Sequence, residues 1–224
     1  MQLSSITYQL SIWSVLVPLV TGLLLYKKLD PPSRIIFYLV LLAASPQIIT
    51  EFMASNPVRN VFYNVYTPAE FLLTYFFIGN KLQNRVLRNI SFSLILLFIV
   101  LSVVLIGKYG LSGRFLNEWV CAANISYLCW IFLFILESLL QEKSLLNTDL
   151  PLFWYISGLL LYTPCTIFVF ALSYFISQSK NPFIHNLWII HEIFNTALYV
   201  SFAIGLYKNK TRKYPLMNTV MMVT

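Results

Sequence analysis

The chain has 224 residues, of which 58% are hydrophobic and only 10% charged, with a formal net charge of +7. Together with a mean hydropathy of +0.74, this excludes an ordinary soluble domain, whose surface helices carry a polar face at the helical period. The expected fold is all-α, a polytopic membrane protein with the lipid bilayer as its solvent.

A bilayer core is about 30 Å thick and takes about 20 helical residues to cross. Seven apolar stretches come up to that length: Tyr8–Tyr26, Arg34–Met53, Arg59–Asn80, Ile90–Gly107, Glu118–Leu140, Leu152–Ile176 and Asn186–Tyr207. The first run lacks a basic leader and a small-residue cleavage site, so it is expected to stay as a membrane anchor. Cys121, Cys129 and Cys165 all fall inside these stretches without paired spacing, which reads as small packing residues rather than a disulfide framework or a zinc site.

The distribution of charge is more informative than its sum. Lys27, Lys28, Arg34, Lys81, Arg85, Arg88, Lys143, Lys208, Lys210, Arg212 and Lys213, eleven of the fifteen basic residues, fall on one side of the seven-span arrangement. Only Arg59, Lys108, Arg114 and Lys180 fall on the other. The positive-inside rule then puts the N-terminus outside and the C-terminus in the cytoplasm of a plasma (inner) membrane. Residues 1–207 read as one transmembrane domain and 208–224 as a short basic tail, suited to anionic membrane lipid rather than to nucleic acid.

Two segments share an order of features: Pro46, Asn56-Pro57, Tyr66, Glu70, Gly79 and Lys81, then Pro164, Asn181-Pro182, His191, Asn195, Gly205 and Lys208. The echo suggests parallel repeats over 8–81 and 117–208 joined by a linker helix at 90–107, an arrangement of three plus one plus three helices. In transporters built this way the substrate site sits at the repeat interface near the midplane. Chance similarity among Asn-Pro-punctuated aromatic helices is the alternative.

Ionisable groups inside hydrocarbon cost a few kcal/mol at least, so each marks a candidate site. Glu70 falls near the middle of the third stretch, Glu192 in the outer half of the seventh and Glu51 near the outer end of the second. Glu137, near an inner end, is expected to snorkel to water or accompany Lys143. Tyr63, Tyr66, Glu70 and Thr74 recur at spacings of three and four and share a stripe, as do Trp188, His191, Asn195 and Tyr199 with Glu192 at the edge. Both stripes should face inward. With Gln47, Asn124, Tyr127, Tyr162 and Thr166, and with carbonyls freed by Pro18, Pro46, Pro68 and Pro164, they describe an aromatic-walled cavity opening outward. The alternative is that these groups only bond one another across packed helices. The candidate ligand-binding residues are Gln47, Glu51, Tyr63, Tyr66, Glu70, Asn124, Tyr162, Trp188, His191, Glu192 and Asn195.

No phosphate loop, nucleophile elbow or haem-type pairing occurs, no catalytic residue is assigned, and no cofactor or metal is expected. His185 and His191 are the only histidines, six apart and on different helix faces; a metal-dependent hydrolase would have to recruit carboxylates around His191. A retinal-binding protein is disfavoured, since Lys208 lies at the end of the last helix rather than deep within it.

Ser45-Pro46-Gln47-Ile48-Ile49 resembles the PQ-loop signature of SWEET-like transporters, although the second copy, Thr163-Pro164-Cys165-Thr166, lacks the glutamine. Val65–Phe71, Phe153–Tyr162 and Leu187–His191 resemble segments of seven-helix membrane modules of Bacteroidetes-type bacteria, which stand alone or precede sensor histidine kinases. That resemblance implies sensing. The first expectation is therefore a membrane receptor or sensory subunit whose cavity takes a small molecule or lipid. It would signal through a histidine kinase or another cytoplasmic partner. A small-solute transporter is the alternative, and an intramembrane metal-dependent hydrolase a third.

Overall fold

The computed structural model describes residues 2–52, 55–141, 148–179, 181, 184 and 186–211. Lys143, Lys180, Pro182, His185 and the tail from Arg212 onward lie outside the described residues, and with them part of the second Asn-Pro turn and most of the basic tail.

Among the described residues the chain is all-helical: α1 (Gln2–Ser14), α2 (Leu16–Leu25), α3 (Pro31–Phe52), α4 (Asn56–Phe77), α5 (Arg85–Tyr109), α6 (Asn117–Leu140), α7 (Pro151–Ala171), α8 (Ser173–Gln178) and α9 (Leu187–Thr211). Among the described residues six segments are long and apolar enough to cross a membrane: Ser5–Lys28, Pro31–Ile49, Arg85–Tyr109, Asn117–Leu140, Pro151–Ala171 and Leu187–Asn209. The chain is thus a multi-pass membrane protein by length and composition.

The third expected span, α4, forms over 22 residues, but Arg59, Asn60, Asn64 and Glu70 leave it outside that apolar class. Its exposed large side chains are all apolar: Val58, Val65, Leu72 and Phe76. Spacings of seven, seven and four put them on one stripe, opposite the polar residues.

Local chemistry explains where the helices begin and break. The α3 helix starts before the expected Arg34 because Asp30 Oδ1 accepts the Ser33 N–H at 2.9 Å and Pro31 supplies the first helical residue, where no N–H is needed. Asn84 caps α5, its Oδ1 accepting from Val86 and Leu87 at 2.9 and 3.3 Å. The α5 helix ends at Gly110, whose φ of 68° suits glycine. The first span is not continuous. Pro18 has no N–H to offer the Ser14 carbonyl, and the helix breaks between Ser14 and Leu16. The sixth expected span also ends early, at Ala171, and resumes after Leu172 as the short α8.

Neighbouring helices close a ring. The α1–α2 pair packs on α3, α3 on α4, α4 on α6, α6 on α7, α7 on α9, and α9 back on α1 and α2. Outside the ring, α5 rests on α6, and only 22% of its apolar window is buried. A close approach joins α7 and α9, where Gly158 leaves room for Ser201 and Gly205 for the Tyr155 ring.

The two ends of the bundle are built differently. At the end holding the α2–α3, α4–α5 and α6–α7 turns, Tyr155 meets Phe77 and Phe202 at 5.8 and 6.0 Å, while Phe71, stacked on Phe98 of α5 at 3.8 Å and 5.0 Å from Trp130, fills the seam between α4, α5 and α6. A buried polar knot completes the seal. The Tyr155 hydroxyl donates to Ser33 Oγ at 2.9 Å, Asn209 Nδ2 donates to the same oxygen at 3.0 Å, and Asn209 Oδ1 accepts the Asp30 N–H at 3.3 Å.

Candidate functional site

The opposite end is hollow. A cavity of about 510 Å³ runs from that end to the helix midpoints, between α1, α3, α4, α6, α7 and α9. Every candidate named from the sequence lines it except Glu51: Gln47, Tyr63, Tyr66, Glu70, Asn124, Tyr162, Trp188, His191, Glu192 and Asn195. The two stripes do face inward. Glu51 stands to one side, its carboxylate accepting from the Tyr8 hydroxyl at 3.2 Å and from Gln9 Nε2 at 3.4 Å. Thr74 leaves the stripe too, its hydroxyl turned back to the Glu70 carbonyl at 2.9 Å, and of the four helix prolines only Pro46 borders the cavity.

Toward the open end the wall is a chain of rings. Tyr63 meets Phe115 at 5.8 Å, Phe115 meets Phe170 at 5.8 Å, and Phe170 meets Trp188 and His191 edge to face at 5.4 and 5.2 Å. Tyr162 lies 5.6 Å from His191, and Thr166 Oγ1 sits 3.4 Å from His191 Nδ1. The α1 segment, set off by the break before Pro18, closes one side: Thr7 donates to Glu192, and Asn195 Nδ2 donates to Ser11 Oγ at 2.8 Å.

Deeper in, the groups are oxygen-rich. Glu70 is only partly exposed, and since it lines the cavity that exposure is to the hollow. The Tyr66 hydroxyl lies beside its carboxyl, and the hydroxyls of Tyr127, Tyr162 and Tyr199 are within electrostatic reach. Tyr199 accepts a hydrogen bond from Gln47 Nε2 at 2.8 Å. Two amide oxygens here have no protein partner, Gln47 Oε1 and Asn124 Oδ1; Asn124 spends its Nδ2 on the Val120 carbonyl at 2.8 Å. A buried acceptor without a donor costs about 1–3 kcal/mol.

Several wall residues were not legible as such. Arg59, which counts in the sequence only as a basic residue on the sparser side, and Asn60, which nothing there singles out, line the cavity near its mouth. Phe115 is held there by Asn64, an α4 residue whose Nδ2 donates to the carbonyls of Leu111 and Arg114, both at 2.8 Å, and whose Oδ1 accepts the Leu116 N–H at 3.0 Å. Glu137 corrects an expectation. It is 6% exposed and, far from snorkelling, accepts the backbone N–H of Gln83 at 2.9 and 3.1 Å and of Asn84 at 2.5 Å, tying the α4–α5 turn to α6.

Among the described residues no group of three or more His, Cys, Asp or Glu is placed to hold a metal ion. The three cysteines are free. No family model matches the chain, and no curated protein or solved structure matches it.

Proposed function

We propose that the protein is a multi-pass membrane receptor or sensory subunit that admits a small molecule or lipid to the cavity from the end bearing its N-terminus. The observation that carries this reading is the one-sidedness of the hollow. Its lining residues come from one half of the bundle, while the Phe77, Tyr155 and Phe202 rings and the Ser33–Tyr155–Asn209 knot join α3, α4, α7 and α9 at the other. A pocket of several hundred Å³ with aromatic walls and a few convergent polar groups is the usual form of a small-molecule site.

In this reading α4 crosses the bilayer as a seventh span. Its polar stripe is used inside the ring and its apolar stripe faces lipid, which reconciles its length with its composition. The uneven basic residues favour the N-terminus outside and the closed end in the cytoplasm, in a plasma (inner) membrane. Ligand binding would act by biasing two helix arrangements that a histidine kinase or other cytoplasmic partner distinguishes.

A second reading, small-solute transport, is favoured by the ring order. The α1–α2 pair with α3 and α4, and then α6, α7 and α9, follow one another around it in chain order, as a duplication would produce. Tyr66 and Glu70 of one unit and His191 and Asn195 of the other, equivalent in the sequence echo, border the same cavity.

Reconstituted vesicles separate the two. For a receptor, a compound that protects the purified chain against thermal unfolding does not accumulate inside vesicles, with or without a proton gradient. Accumulation above that of protein-free vesicles would replace the receptor with the transporter.

A further inference from the structure

Among the described residues the deep end of the cavity carries a carboxyl and no cation. Glu70 supplies that carboxyl, with the Tyr66 hydroxyl beside it, and Gln47 and Asn124 line the same hollow through their side chains. Arg59, which also lines the cavity, precedes Glu70 by three turns of α4, about 16 Å along the axis, and belongs to the mouth. Histidine does not fill the role either: the His191 ring is wedged among Tyr162, Phe170 and Trp188, with Nδ1 toward Thr166.

A carboxyl deep in an aromatic shaft, with no cation beside it among the described residues, suits one ligand chemistry. A protonated primary amine brings three N–H donors, a charge to match a carboxylate, and attraction to tyrosine faces. A neutral hydroxyl brings one donor and no charge, and a carboxylate brings neither a donor nor a positive charge. Resting on the reading of the cavity as a ligand site, we propose that it takes an amphipathic organic amine. The ammonium nitrogen goes down to Glu70, and the apolar body lies between Tyr66, Tyr162 and Phe170.

The test uses the full chain in nanodiscs and three probes of one shape: phenethylamine, 2-phenylethanol and phenylacetate. Binding is read by calorimetry and by the shift in thermal unfolding. The amine is expected to bind roughly tenfold or more tighter than the alcohol, the scale of a charge-assisted hydrogen bond, and the acid weakest. Glu70→Gln should lose that preference, the amine and the alcohol then binding alike.

Equal binding of amine and alcohol, or a preference for the acid, would overturn the amine assignment and leave the cavity reading in place. So would an unchanged amine preference in Glu70→Gln. Indifference to all three probes would overturn both. The wild-type series stands by itself should the variant fail to fold.

Discussion

At the scale of single residues, one polar side chain, Asn64, holds a wall of the cavity in place without lining it. Asn64 uses both amide hydrogens and its oxygen on the backbone of one turn, Leu111 to Leu116, and it is 1% exposed. Asn64→Ala would leave two carbonyls and one N–H without partners, a cost of about 2 kcal/mol or more. For a chain of this length that is about 5 °C in unfolding midpoint. Hydrogen exchange should rise over 110–116 and not over α7; unchanged protection there would refute the clamp. Neither Asn64 nor Glu137 was legible beforehand, because each bonds the backbone of a segment about fifty residues away, and backbone partners leave no side-chain pattern to read. Glu70, His191 and Asn195 were legible because their neighbours at three and four residues are also polar or aromatic, and hydrocarbon makes such a stripe expensive unless it faces inward.

At the scale of helices, length and apolarity located every long element, but the breaks and the closest approaches depended on details that hydropathy does not carry. Pro18 ends α1, whereas Pro46, Pro68 and Pro164 sit inside unbroken helices, so proline alone does not mark a break. Glycine makes the same point with opposite signs at two sites. A Cβ at Gly107 on α5 would meet nothing within 4 Å, whereas at Gly205 it would stand 2.3 Å from the Tyr155 ring, which is 1% exposed. Gly107→Ala gains helix propensity and should stabilise by about 0.5–1 kcal/mol. Gly205→Ala gains the same but overpacks the α7–α9 contact at a cost of about 1–3 kcal/mol, so the net effect should be destabilising. Thermal unfolding of the two variants in one detergent reads the sign directly, and Tyr155→Leu added to Gly205→Ala should recover part of the loss. A stabilised Gly205→Ala would mean that α7 and α9 do not approach as closely as described.

At the scale of the whole molecule, the open question of crossing number turns on α4, and the distribution of charge makes it testable. If α4 spans, the α4–α5 turn with Lys81, Arg85 and Arg88 lies on the opposite side from Arg59 and from the α5–α6 turn pinned by Asn64. The acceptor-rich cavity then faces the exterior. If α4 only dips into the membrane, its two ends share a side and the positive-inside asymmetry collapses. In a background with Cys121, Cys129 and Cys165 replaced by Ala, single substitutions Ser55→Cys, Arg88→Cys and Ser112→Cys sample exposed positions just before α4, in the first turn of α5 and in the α5–α6 turn. A membrane-impermeant maleimide added to intact cells should label Ser55→Cys and Ser112→Cys, and should reach Arg88→Cys only after permeabilisation. Labelling of Ser55→Cys and Arg88→Cys from the same side would remove α4 from the spans. It would also put the N-terminus and the closed end of the ring on sides that the basic residues no longer predict.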